Sequence, residues 1–197
     1  MRTVRKIAAL LLVVIVMISC DAAKGISGAY NMINCRYTYN SIDNISIAGI
    51  NLSGGADNIS LPNILKLTSI LSGNATSIPV GMTVNLDVRN PNPTAAFLDG
   101  LQYIIVVDDL QLTSGSISQP LNLASGETKV FSIRLNVDVA DYLKGDSKDT
   151  VTNALKNIAG IGDKQSKITV QIKPTFLVGS TPVTSPVYIP VNFTLGD

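Results

Sequence analysis

Between Met82 and Arg89 the side chains alternate without exception: Met82, Val84, Leu86 and Val88 are apolar, and Thr83, Asn85, Asp87 and Arg89 are polar. Only an extended strand sends successive side chains to opposite faces, so this stretch buries one face and turns the other outward. A chain built around such a strand folds as layers of antiparallel sheet. The alternation stops at Asn90-Pro91-Asn92-Pro93. Proline has no N–H to give a ladder, and asparagine side chains bond neighbouring backbone, so these four residues are expected as a structural loop that carries the strand out of its sheet. Ligand contact by a loop at the end of a sandwich is the alternative reading.

The remaining pattern agrees. Arg36–Tyr39 and Ile45–Ile50 read as two strands, and further strands are expected over Leu98–Val107, Thr128–Val137, Ile168–Ile172 and Val187–Phe193. Asp108-Asp109 fits a two-residue hairpin turn into Leu110-Gln111-Leu112, with Gly115 closing that segment. Two stretches change period. Leu61, Ile64, Leu65, Leu67, Ile70 and Leu71 recur at helical spacing behind Ser60 and before Gly73, and Val151, Ala154, Leu155, Ile158 and Ala159 do so between Ser147 and Gly160. The expected fold is mainly β, an antiparallel β-sandwich with one or two short α-helices.

The N-terminus carries Arg2, Arg5 and Lys6, an apolar run from Ile7 to Ile18, then Ser19 and Cys20. As a helix, a run of this length spans roughly 18 Å, well short of the ~30 Å hydrocarbon core, so it reads as an export signal and not a permanent span. Met17-Ile18-Ser19-Cys20 resembles the lipobox of bacterial lipoproteins, in which the cysteine is acylated and the chain is cut before it. An ordinary cut near Ala22 or Ala23 is the alternative. The organisation expected is therefore a lipoprotein signal peptide over 1–19, a lipidated flexible tether over 20–30, and one domain over 31–197. Lipid on Cys20 would hold the domain to a membrane of the bacterial cell envelope.

Several functions lose support from composition. The signal contains three of the 15 basic and none of the 14 acidic residues, which leaves a slight acidic excess and no basic stripe for nucleic acid. With no histidine in the chain, a Ser-His-Asp triad is excluded and Cys35 lacks its usual base; it is expected as a core residue. Acylation of Cys20 would leave Cys35 without a partner for an internal disulfide. Glu127 is the only glutamate and the aspartates are scattered, so no carboxylate pair is identifiable from spacing. Asp108-Asp109 lacks the spaced oxygen set of a hard-cation site and reads as a solvated turn. No catalytic residue, metal or cofactor is expected, and the protein is expected as a monomer. At 46% hydrophobic and 15% charged residues, it is expected to pack and not to remain a disordered coil.

Residues Asn85-Leu86-Asp87-Val88-Arg89-Asn90-Pro91-Asn92-Pro93, followed by Leu98-Asp99-Gly100-Leu101-Gln102-Tyr103, resemble the late embryogenesis abundant type 2 family, also called the water-stress and hypersensitive-response domain. The likeness continues through Ser114-Gly115, Leu123 and Gly126 to Val137. It implies a fibronectin type III-like sandwich, an association with desiccation and stress, and no enzymatic activity. The functional expectation is a membrane-tethered, non-enzymatic interaction or stress-protective domain that meets an envelope protein or polymer. A carbohydrate- or envelope-polymer-binding module is the runner-up, opposed by the absence of Trp and a count of six Tyr.

Overall fold

The computed structural model describes residues 27–53, 59–70, 75–178 and 180–196. The signal, Cys20 and residues 20–26 of the expected tether lie outside the described residues. Residues 27–33 form helix α1, with Gly28 and Ala29 buried. The sequence places 27–30 in the tether, because Ser, Gly and Ala there show no periodicity. The contact that orders them is remote: the Phe97 ring lies where a Cβ on Gly28 would stand.

Eleven strands follow among the described residues. β1 (Arg36–Ile47), β2 (Ile50–Asn51), β3 (Pro79–Arg89) and β8 (Thr128–Asp138) make one antiparallel sheet in the order β2-β1-β3-β8. β5 (Gly100–Val107), β6 (Leu110–Ile117), β9 (Ser166–Val178), β10 (Thr181–Thr184) and β11 (Ile189–Leu195) make the second. Here β9 is the spine, pairing with β5 on one side and with β11 and then β10 along the other. Short β4 (Ala96–Leu98) and β7 (Leu121–Leu123) pair with each other. Helix α2 (Leu61–Ser69) lies between β2 and β3, and α3 (Lys148–Ile158) between β8 and β9.

The alternation of β3 works as expected on the inner face. Val84, Leu86 and Val88 are buried with Phe131, Ile133 and Leu135 of β8, against Leu101, Ile105 and Val107 of β5 and Ile168, Val170 and Ile172 of β9. This core makes the molecule an antiparallel β-sandwich. A second core, at the end where β3 begins, gathers Ile47, Ile78 and Val80 with Leu67 of α2 and Val151 and Leu155 of α3. We call this the helix end. The opposite end, where β3 leaves at Asn90 and α1 lies, is the loop end.

Three expectations change in detail. The two strands read between Arg36 and Ile50 are mostly one, β1, with register shifts between Tyr39 and Ser41 and between Asp43 and Ser46. The second shift contains Asn44 at φ 53°, a local kink that breaks the period-two pattern and so imitates a loop. Gly115 does not end a segment but sits inside β6, because a Cβ there would stand 2.6 Å from the Tyr103 hydroxyl. In α2, Leu67 is buried but Leu61 and Leu65 are exposed, so its apolar stripe is only partly covered.

Candidate functional site

The loop after β3 is held by asparagines. Asn90 is fully buried. Its Nδ2 donates to the carbonyls of Thr94 (2.9 Å), Leu123 (3.1 Å) and Ala124 (3.0 Å). Its Oδ1 accepts from the Asn92 backbone N–H at 3.0 Å and the Asn92 amide at 2.8 Å. Asn92 Nδ2 also reaches the Asn31 carbonyl at 2.9 Å, and Asn31 Nδ2 donates to Thr94 Oγ1 at 2.7 Å and to the Ala95 carbonyl at 2.9 Å. Strand exit, α1 and the turn before β8 are thus bonded together. Pro91 and Pro93 are exposed and add no donors that the loop would have to satisfy. Sequence reasoning found Asn90 and Asn92 but missed Asn31, whose partners lie 63 and 64 residues away; nothing local marks it.

Asp108 and Asp109 occupy the β5–β6 turn at φ 45° and 67°, the left-handed pair of a type I′ hairpin. The Asp108 carboxylate accepts the Lys167 N–H at 2.7 Å, while the Asp108 N–H donates to the Lys167 carbonyl at 2.9 Å. The side chain ties the turn to β9. Glu127 caps its own turn, accepting the Ala124 N–H at 2.7 Å and pairing with Lys129 at 3.1 Å; the backbone bond first, then Lys129, hold its carboxyl below the usual range. Cys35 is buried, and burial pushes its thiol up to about 11. Among the described residues, no three His, Cys, Asp or Glu side chains converge as a metal site would require.

On the outer face of β3 lies a polar cluster the alternation did not reveal. Asn85 is only 7% exposed although it points away from the core. Its Nδ2 donates to Ser41 Oγ (2.9 Å) and to the Asp43 carboxylate (2.5 Å), and its Oδ1 accepts from Ser132 Oγ (2.6 Å). Beside it the kink of β1 and the end of α3 enclose a recess of about 620 Å³, bordered by Asp43, Asn44, Leu52, Ser53, Asn157 and Gly160 among others. Asn157 Nδ2 donates to the Lys164 carbonyl and to Ser166 Oγ. Its Oδ1 is buried without a partner, against Gly162 and Gly196, where any Cβ would collide with it. This arrangement packs α3 on the strand ends. It offers no nucleophile with a base; the ionisable group that senses Asp43 is the Tyr39 phenol, raised first by burial and then by that charge.

The family model described as late embryogenesis abundant protein, type 2, matches residues 85–191, from the Asn85 cluster through the asparagine loop and the spine strand to the middle of β11. The chain belongs to the late embryogenesis abundant type 2 family. That family is generally non-enzymatic. No curated protein matches the chain. Several solved structures are similar at low identity. One is a putative late embryogenesis abundant protein, at 16% identity over 98% of this chain and 88% of that one, with a TM-score of 0.41. Another is a protein from Archaeoglobus fulgidus, at 18% identity over 61% and 87%, TM-score 0.35. A third is from Arabidopsis thaliana, at 17% over 59% and 70%, TM-score 0.35. In this late embryogenesis abundant domain the asparagine loop is the most densely bonded polar feature among those described above.

Proposed function

We propose that the protein is a lipid-anchored, non-enzymatic component of a bacterial cell envelope whose late embryogenesis abundant type 2 domain protects envelope components under stress by surface interaction. The family match supports the protective role. The observation that carries the anchor is the run Ile7–Ile18 ending at Ser19-Cys20 behind three basic residues. The polar side chains found at the loop end support a non-catalytic role, since Asn31, Asn90 and Asn92 spend their donors on the chain's own carbonyls.

The test has two parts. Cys20→Ala should abolish incorporation of labelled palmitate and release the protein from membranes in a high-salt wash, because two or three acyl chains at roughly 0.8 kcal/mol per buried methylene hold a protein almost permanently. Palmitate uptake by the variant would refute the anchor. Crosslinking of intact envelopes followed by capture of the chain should then recover a defined protein or polymer, and binding on a glycan array would instead favour the carbohydrate reading.

A further inference from the structure

At the loop end the chain presents exposed basic and aromatic side chains. Arg36 on β1 and Arg89 on β3 are direct cross-strand partners, and both are exposed. Like charges placed opposite one another repel, a cost that an anion between them removes. Neither guanidinium has a partner among the described residues; the ion pairs there are Lys129–Glu127 and Lys144–Asp141. The carboxylate next along the same face, Asp87, accepts from Asn40 at 3.0 Å. The aromatic groups are Tyr30 on α1, 66% exposed, and Phe97 on β4, 39% exposed. They belong to the same end, because Phe97 covers Gly28 of α1 and Asn31 bonds Ala95 just before β4.

Charge is arranged differently at the other end. There Asp138 and Asp141, Asp146 and Asp149, and the Asp108-Asp109 turn stand among lysines, one of them paired with Asp141. The loop end is also the one the chain enters from its N-terminal side. Six residues lie between Cys20 and Ser27, and the seven Cα-to-Cα steps, at ~3.6 Å each, reach at most about 25 Å. β3 alone has 11 residues, roughly 37 Å at strand rise, so a lipid on Cys20 keeps the loop end within reach of the bilayer and lets the helix end stand away from it.

We infer that the loop end is a membrane-seating surface, with Arg36 and Arg89 binding phospholipid headgroup phosphate and Tyr30 and Phe97 entering the interfacial layer. Guanidinium matches phosphate geometry, and amphipathic aromatic rings favour the headgroup level. The seat rests on the lipid-anchor reading and adds orientation to it: the helix end, with exposed Leu61 and Leu65, faces away from the membrane.

The chain has no tryptophan, so single reporters are unambiguous. The full protein carrying Phe97→Trp or Leu65→Trp is placed with vesicles of phosphatidylcholine and phosphatidylglycerol in equal parts, with and without brominated lipid. Trp at 97 should shift to the blue and be quenched; Trp at 65 should do neither. Arg36→Gln and Arg89→Gln should each weaken the seating signal about five-fold, and high salt should mimic them. Their far-ultraviolet dichroism should match the parent, which separates seating from folding. Equal behaviour of the two tryptophans overturns the proposal. Anchorage is read independently by palmitate incorporation. If none occurs, the anchor reading alone fails, and the same reporters read seating of the unanchored chain at high vesicle concentration, where spectra unchanged by vesicles overturn the seat.

Discussion

The rings of Tyr39 and Phe193 stack with centroids 4.0 Å apart and planes 16° from parallel. Tyr39 lies on β1 and Phe193 on β11, so the pair closes one side of the sandwich by joining strands of different sheets. A double-mutant cycle with Tyr39→Leu and Phe193→Leu, read by denaturant unfolding, should give a coupling of about 1 kcal/mol beyond the two single losses. Additive losses would mean that the stack contributes only buried area.

Asn90→Ala should cost on the order of 1 to 3 kcal/mol, near the top of that range because three carbonyls and the Asn92 N–H lose their partner together. Asn92→Ala should cost less, since Asn92 is only half-buried. Unfolding midpoints of the purified variants check the order. A stable Asn90→Ala protein that no longer captures its envelope partner would make this loop a recognition site.

Asp138 gives the fold a specific acid sensitivity. Its carboxylate accepts the N–H of Ile78 at 2.9 Å, the hydroxyl of Ser77 at 2.5 Å and the N–H of Ala140 at 3.0 Å, and these bonds, Ile78 first, hold its carboxyl below the ordinary value. The native state therefore binds fewer protons than the unfolded chain. The stabilisation is complete above the unfolded carboxylate value, about pH 4, and disappears as pH falls through the lower folded value. Melting temperatures from pH 7 to pH 3 should fall more steeply for the parent than for Asp138→Asn; parallel curves would remove Asp138 as the cause.

Native Cys35 should resist alkylation. With its thiol raised from 9.0 to about 11, the thiolate fraction at pH 8 is about a hundred-fold below that of an ordinary cysteine. Iodoacetamide labelling followed by mass should be slow in buffer and fast in denaturant. Rapid labelling of the folded chain would show that α1 opens readily over Cys35.

The layers were legible from sequence because period two is enforced wherever a strand has one buried face, and the Asp108-Asp109 turn because left-handed backbone selects its residues. Features set by distant partners were not. Gly115 looked like a terminator although its meaning is the Tyr103 ring across the hairpin, and Asn85 looked like a surface residue although Ser41, Asp43 and Ser132 surround it. Asn44 hid the continuity of β1. The loop asparagines stood out because proline marks the exit, but the bond from Asn31 to Ala95 depends on a helix that Ser, Gly and Ala do not announce.

The strand arrangement has a mechanical consequence. β1 starts at the loop end and runs its full length beside β3, while β11 finishes at the helix end beside β9. Tension between an anchor before β1 and a load beyond β11 would pull along both strands, perpendicular to their hydrogen bonds. Such a pull is shared across the whole ladder instead of opening it one bond at a time, so the domain would yield abruptly and at higher force than if the same strands were peeled from one end.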